Sequence, residues 1–376
     1  MGTRRRLAAL GLLSLGLACG GSAPSAAPPA TVAPSAQPPE ALADGWPVAT
    51  LEAEGIDLSR IEELAGRIER GQRGRIRSLL IARHGRLAYE RYWYGGGRDV
   101  LHELQSVTKS VTSALVGIAV ARGAIAGPEE PIERYFPGYA DAFRLDPAKG
   151  ELRLRHLLTM TAGLRWDERS TPFDDPRNSI GRMNASPDWV GFVLDQPVAE
   201  PPGTRFNYTS GCAILLGEII RQATGQDAAR LAEDALFGPL GIRTYSWYRH
   251  PTHPDHPPHT GGGLALRARD LAKLGQLYLE GGAWAGGRVV SEEWVRESTL
   301  ASIPADPGSH YGFQWWLHAL VAGSAPNDVA HGWGYRGQHL FVAPRLRLVV
   351  VLNGQNERDD PGLRVFLDEV VPAVRP

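Results

Sequence analysis

Apolar residues at Leu58, Ile61, Leu64, Ala65 and Ile68 recur with the helical period, and Gly71 supplies a stop, so 57–71 reads as a helix. The pattern then changes. "IRSLLIARHGRLAYERYWYG" (76–95) is rich in β-formers on either side of His84–Gly85 and predicts two strands joined by a tight turn. The design returns in "QHLFVAPRLRLVVVLNG" (338–354), with a turn near Pro344–Arg345, before a last amphipathic helix over about 362–371. Between these ends the helical period dominates, at 106–122, 153–159, 211–224, 227–236, 268–280 and 291–298. Strands at both ends and helices in the middle predict a sheet closed by bringing the termini together. The chain reads as one compact unit with a sheet region and a helical region.

Composition sharpens this picture. With 376 residues, 43% of them hydrophobic, the chain can bury a large core. Its 40 basic and 41 acidic residues leave a formal charge of -1, and no basic, aromatic-rich stripe appears. Nucleic acid is therefore not an expected partner. Arg4, Arg5 and Arg6 precede the apolar run "LAALGLLSLGLA", which ends at Cys19 and is too short to span a bilayer. Residues 1–19 resemble a lipoprotein-type signal peptide ending at a modified cysteine, although Gly16 stands where Leu is usual; an ordinary secretory signal is the alternative. Either route exports the protein to the cell envelope, and lipidation of Cys19 would hold it to the membrane facing the periplasm. Residues 20–45, rich in Pro, Ala and Ser, read as a disordered linker, which leaves 46–376 as the folded domain. Cys212 has no partner in the exported chain and reads as a buried small residue.

The candidate chemistry begins at "SVTKSVTSALVGIAVARG". Lys109 is one of only three lysines, with Lys149 and Lys273, in a chain that otherwise uses arginine for positive charge. Lysine can give up its proton near neutral pH when buried, and arginine cannot. Ser106 stands at the head of an apolar helix, and Lys109 follows one turn later on the same side. A serine hydroxyl needs such a base to become a nucleophile, and the first-turn N–H groups favour negative charge nearby. Tyr208, at the end of the loop "AEPPGTRFNY", could carry a proton between them, and Ser210 could offer a hydroxyl to the same space. "AHGWGYRGQHLFVAP" (330–344) brings small residues to a strand start, where an outward N–H could join that of Ser106 as an oxyanion hole.

Ser106-x-x-Lys109, Tyr208-x-Ser210 and the Gly-rich strand at 332–337 resemble, in order and separation, the three motifs of the serine beta-lactamase and penicillin-binding-protein superfamily. The flanking stretches "LRHLLTMTAGL" (154–164), "PPGTRFNYTSG" (201–211) and "GGGLALRARDLAKLGQLYLEGG" (261–282) are closer to its esterase and 6-aminohexanoate-oligomer-hydrolase branch. The likeness covers nearly all of 75–371. It implies an α/β (α+β) fold, an antiparallel sheet flanked by helices with a mostly helical subdomain. It also implies acyl transfer with Ser106 as nucleophile, Lys109 as base and Tyr208 as proton carrier. The N–H groups of Ser106 and Tyr335 would hold the oxyanion, and Ser210, Gly332, Trp333 and Gly334 would face the substrate. No metal or other cofactor is demanded, and the partner is a small ester, amide or peptide-like substrate.

Two departures guide the choice of substrate. Ser210 replaces the usual Asn of the second motif, and Gly332 stands where the third motif commonly carries Lys or His. His331 lies one position early, which turns it to the opposite face of a strand. Loss of a cation there disfavours carboxylate-bearing substrates, so ester or small-amide hydrolysis is expected ahead of beta-lactamase or D-alanyl-D-alanine carboxypeptidase activity. A non-catalytic, lipid-anchored binding protein on the same fold is the reading from another class. The acids of "WDERSTPFDDP" (166–176) match no deacylation signature. His250, His253, His256 and His259 alternate with prolines and read as an extended surface rod at the cleft entrance, in preference to a zinc site. Among the aromatics, Trp315 or Trp316 reads as core, with a hydrophobic substrate pocket as the sharper alternative.

Overall fold

The run Leu348–Gly354 is apolar at nearly every position and buried throughout, so it needs cover on both faces. The computed structural model describes residues 37–253, 256–321, 323–357 and 359–375. Residues 1–36, and with them the expected signal peptide, Cys19 and most of the linker, lie outside the described residues. The first strands are β1 (Ile76–Arg83), β2 (Arg86–Tyr92), β3 (Leu101–Glu103), β4 (Tyr245–Trp247) and β5 (Leu264–Arg267). A short hairpin, β6 (Ala283–Trp284) and β7 (Gly287–Arg288), precedes β8 (Ile303–Pro304), β9 (Ser309–Tyr311) and β10 (Trp316–His318). The last three are β11 (Val329–Gly334), β12 (Gln338–Ala343) and β13 (Leu348–Gly354).

Eight of these strands make one antiparallel sheet in the order β2-β1-β13-β12-β11-β10-β9-β8. Pairing β1 with β13 brings the two ends of the chain together, as the pattern of strands predicts. Side chains alternate across the sheet. Val349 and Val351 join Leu80 and Ala82 in one core, while Leu348, Val350 and Leu352 join Leu79, Ile81 and Phe366 in the other. Burial of each large side chain contributes roughly 1.5–3 kcal/mol, so both layers hold the middle strands in place.

The helix α1 (Leu58–Glu69) is capped by Asp57, whose carboxylate accepts from the Arg60 N–H, and its apolar stripe packs with the C-terminal helical segment on the second face. The first face is covered by the helix Ala268–Leu279. Beyond it lies α2 (Thr108–Ala121), buried from Thr108 to Ala119 and packed against the helix Ser210–Thr224. That helix, with Leu154–Leu158, Ser179–Ala185, Trp189–Leu194 and Ala228–Ala232, forms a helical subdomain. The architecture is α/β, an antiparallel sheet flanked by helices with a helical subdomain beside it.

Short elements escape the sequence pattern. β3, β5 and β4 form a small second sheet, and β8 to β10 extend the main one, but two to four residues carry no usable period. The terminal helix is also irregular, with an α turn at Gly362–Arg364 followed by a wider π turn at Val365–Val370. The last residues expected in the linker are held by the domain: Glu40 pairs with Arg98 at 2.7 Å, and Asp44 with Lys273 at 3.5 Å.

Candidate active site

β3 delivers the chain to Ser106. Leu104 N–H donates to Leu264 O at 2.8 Å, anchoring the approach to β5, and Gln105 turns sharply with φ of +49°. A 3₁₀ turn, Gln105–Val107, then leads into α2. Ser106 sits in that first turn, where backbone N–H groups have no intrahelical acceptor. Lys109 follows one turn on, with 1% of its surface exposed.

All three lysines are buried, so rarity alone does not single one out. Their partners do. Lys149 pairs with Asp146 at 3.7 Å, and Lys273 pairs with Asp44 at 3.5 Å and Asp270 at 3.6 Å. Among the described residues Lys109 makes no ion pair. Its Nζ lies 2.9 Å from Ser106 Oγ, 3.0 Å from Ser210 Oγ and 2.6 Å from Gly261 O. Burial pulls its pKa down to about 8, against the pull of the Glu168 charge in the other direction.

The hydrogen bonds around Lys109 have a fixed direction. Glu168 accepts from Ser210 Oγ at 2.7 Å, from Ser210 N–H at 2.8 Å and from Trp166 Nε1–H at 2.6 Å. Because the Ser210 hydroxyl donates to that carboxylate, it can only accept from Lys109. A carbonyl oxygen, Gly261 O, also only accepts. A neutral amine has two N–H groups and one lone pair. The ammonium donates to all three oxygens; once neutral, the amine can keep its bonds to Ser210 Oγ and Gly261 O and turn its lone pair to Ser106 Oγ.

Tyr208 completes the cluster. Its hydroxyl is near enough to feel the Ser106 side chain, but burial, with the Glu168 charge, outweighs that influence and raises its pKa so that it keeps its proton. Lys109 Nζ stands 5.1 Å from the centre of its ring. Trp316 stacks on the Tyr208 ring at 5.7 Å, and Arg169, paired with Asp306, lies over both rings. Of the adjacent tryptophans, Trp315 is fully buried against Tyr278, while Trp316 is the one beside Tyr208.

Of this cluster, Ser106, Glu168 and Ser210 open on a cleft of about 880 Å³. Phe173, Ile180, Tyr248 and Tyr335 give it apolar walls, and Asn184, Glu103 and Arg336 give it polar ones. The four histidines do not form a rod. His253 and His256 N–H groups donate to the carbonyls of His250 and His253; the His250 ring tilts against His253 at 5.0 Å, and His253 stacks on His256 at 4.9 Å. His259 is buried at the cleft wall, with Nε2 3.1 Å from Asn184 Oδ1, and burial beside Lys109 lowers its pKa to about 4. Cys212 is buried behind the site, and burial drives its thiol up to about 12.

The third-motif residues divide between two faces of β11. Gly332 and Gly334 face the nucleophile segment, and Tyr335 follows in the turn that borders the cleft. His331 and Trp333 point to the opposite face, so neither of their side chains lines the cleft. A Cβ on Gly334 would stand 2.3 Å from Leu104 O and 3.1 Å from Gln105 Cβ. Backbone cannot yield there as a side chain can. Gly334→Ala is expected to destabilise the fold by about 1–3 kcal/mol and to displace Ser106, read as a lower melting temperature together with lost hydrolysis. Arg336, four residues after Gly332, lines the cleft.

The Beta-lactamase family model matches residues 65–370. The chain belongs to that family. Family membership implies a serine-hydrolase chemistry that passes through an acyl-enzyme. Among curated proteins, the 6-aminohexanoate-dimer hydrolase of Paenarthrobacter ureafaciens is 29% identical over 334 residues, 81% of this chain and 77% of that protein. Esterase EstB of Burkholderia gladioli is 28% identical over 211 residues, 51% of this chain and 52% of that protein. Among solved structures, a putative 6-aminohexanoate-dimer hydrolase from Bacillus anthracis superposes with a TM-score of 0.69 at 20% identity, covering 81% and 80% of the two chains. EstCE1, a hydrolase with promiscuous acyltransferase activity, gives 0.69 at 18% identity over 84% and 97%. These two structures share the fold.

Sequence reasoning missed Glu168. The acids near 166–176 were visible, but only folding shows which of them meets Ser210. The one local signal is the neighbouring Trp166, whose indole N–H needs an acceptor when buried.

Proposed function

We propose that the protein hydrolyses carboxylic esters or small amides through an acyl-Ser106 intermediate, with Lys109 as general base and Tyr208 as proton carrier. The observation that carries this reading is that Ser210 Oγ and Gly261 O can only accept from Lys109, so that the amine, once neutral, has its lone pair left for the Ser106 hydroxyl. As Ser106 Oγ bonds to the substrate carbonyl carbon, its proton passes to Lys109. The carbonyl electron pair moves onto oxygen, facing the N–H groups of Ser106 and Tyr335. Collapse breaks the bond to the alcohol or amine, which leaves with the proton returned through Tyr208. Water then gives a proton to Lys109 and attacks the acyl carbon, and Ser106 Oγ departs with that proton.

The apolar walls and the names of the curated relatives support an ester or small amide as substrate. Export to the cell envelope, with Cys19 as lipid attachment, belongs to the same reading and rests on Arg4–Arg6 and the apolar run that follows. Among the described residues no helix is long and apolar enough to cross a membrane. Intact mass after brief exposure to p-nitrophenyl butyrate is expected to show one butyryl group on the peptide that holds Ser106. Absence of the adduct, with equal turnover by Ser106→Ala, would leave the non-catalytic binding protein as the better account.

Arg336 favours a second reading. A cation on the cleft wall can receive a substrate carboxylate, as a beta-lactam or a D-alanyl-D-alanine peptide would present. A labelled penicillin adduct on Ser106 that weakens in Arg336→Gln supports it, and indifference to penicillin with ester turnover intact removes it.

A further inference from the structure

Three histidines stand in a row on the face of the main sheet that the cleft does not use. His318 Nε2 lies 3.0 Å from His331 Nδ1, His331 Nε2 lies 3.0 Å from His339 Nδ1, and His339 Nε2 lies 3.0 Å from Asp360 Oδ1. Asp360 also accepts from Gly362 N–H at 3.0 Å and from Trp333 Nε1–H at 2.9 Å. Burial works against its charge, but these bonds outweigh burial and hold it below the ordinary carboxylate value.

An ionised carboxylate only accepts, so His339 Nε2–H donates to it. If that is the one proton on His339, its Nδ1 accepts, which makes His331 Nε2–H the next donor, and the same step applies to His318. Burial keeps both rings neutral, pushing His331 well below its ordinary pKa and His318 down to about 4. The row therefore ends in a bare lone pair, His318 Nδ1. No hydrogen-bond partner for that atom is found among the described residues, and His318 borders a cavity of about 400 Å³.

The remaining walls are the indoles of Trp316 and Trp333, 5.7 Å apart, with Leu363 and Leu367. Acceptors line this space. Asp306 and Asp360 add carboxylates, while Arg364 at the rim is already paired with Asp359 at 2.9 Å and Arg169 with Asp306 at 2.8 Å. An occupant must bring an N–H donor, suit indole faces and tolerate negative surroundings. Those conditions describe a cation on a small apolar body.

We propose that this cavity is a second binding site, for an organic ammonium ion with an aromatic or aliphatic body, which donates an N–H to His318 Nδ1 and rests against Trp316 and Trp333. The site does not depend on the hydrolase reading. Titration of the full chain with benzylammonium chloride at pH 7, followed by tryptophan emission, is expected to saturate at one site. Ser106→Ala should bind equally well, which separates the result from any failure in the catalytic cleft. His318→Leu removes the lone pair, and Ala319→Phe fills the cavity without touching the histidine row; each should weaken binding at least about tenfold. Benzyltrimethylammonium, a cation without an N–H, should also bind several-fold more weakly. The proposal is overturned by a lack of saturation, by loss of binding in Ser106→Ala, by either folded variant binding as the parent does, or by equal binding of the methylated cation.

Discussion

Lys109→Arg is expected to lower ester turnover by at least about a thousandfold in a protein that still folds. Arginine keeps the charge and a donor for Gly261 O, but it cannot take a proton from Ser106. Ser106→Ala should cost as much, and the double variant little more, because the two groups act as one unit. The pH profile provides a separate check. The active form of Lys109 is the neutral amine, and its pKa is brought down from 10.5 to about 8. Acylation should therefore rise with pH up to about 8, level off above it, and fall about tenfold per unit below it. Full activity in Lys109→Arg, or a profile flat between pH 6 and 9 with acylation limiting, would remove the lysine from the mechanism.

Glu168→Gln should lower turnover about tenfold to a hundredfold, the size expected when a group that orients another is lost. The amide can donate to Ser210 Oγ, which frees the Ser210 hydroxyl to donate to Lys109 and compete for its lone pair. The pH profile should shift as well, and its direction can be stated. The Glu168 charge raises the Lys109 pKa against the stronger effect of burial. Removing that charge weakens the opposition to burial, so the limb moves from about 8 toward acid. A role for Glu168 in activating the second-step water would look different, with acyl-enzyme accumulating and the acylation limb unmoved. A merely structural role would lower stability without moving the limb.

The histidines show how differently single residues can be read from a sequence. The departure of His331 from the cleft follows from strand alternation, since its register relative to Gly334 puts it on the other face. Its partners do not follow, because His318, His339 and Asp360 meet it through three strands and a loop. At the proline-spaced histidines local pattern misled: turns gather the rings, and His259 is drawn into the cleft wall. Trp315 and Trp316 are neighbours in one strand region, yet alternation sends one to the core and the other to Tyr208.

The sequence by itself determined the long elements, the pairing of the chain's ends and the Ser106–Lys109 spacing. The long elements and that spacing are written in local periodicity, where neighbours along the chain are also neighbours in space, and the pairing of the ends follows from long strand patterns standing only near the two termini. Tertiary structure alone decided that Glu168 orients Ser210, that Gly261 O holds Lys109, and that Arg336 supplies a cation to the cleft. Those contacts join residues 42, 152 and more positions apart along the chain. Hydrogen-bond direction and burial exist only once such distant groups meet, and at Lys109 burial brings the neutral amine within reach near pH 8.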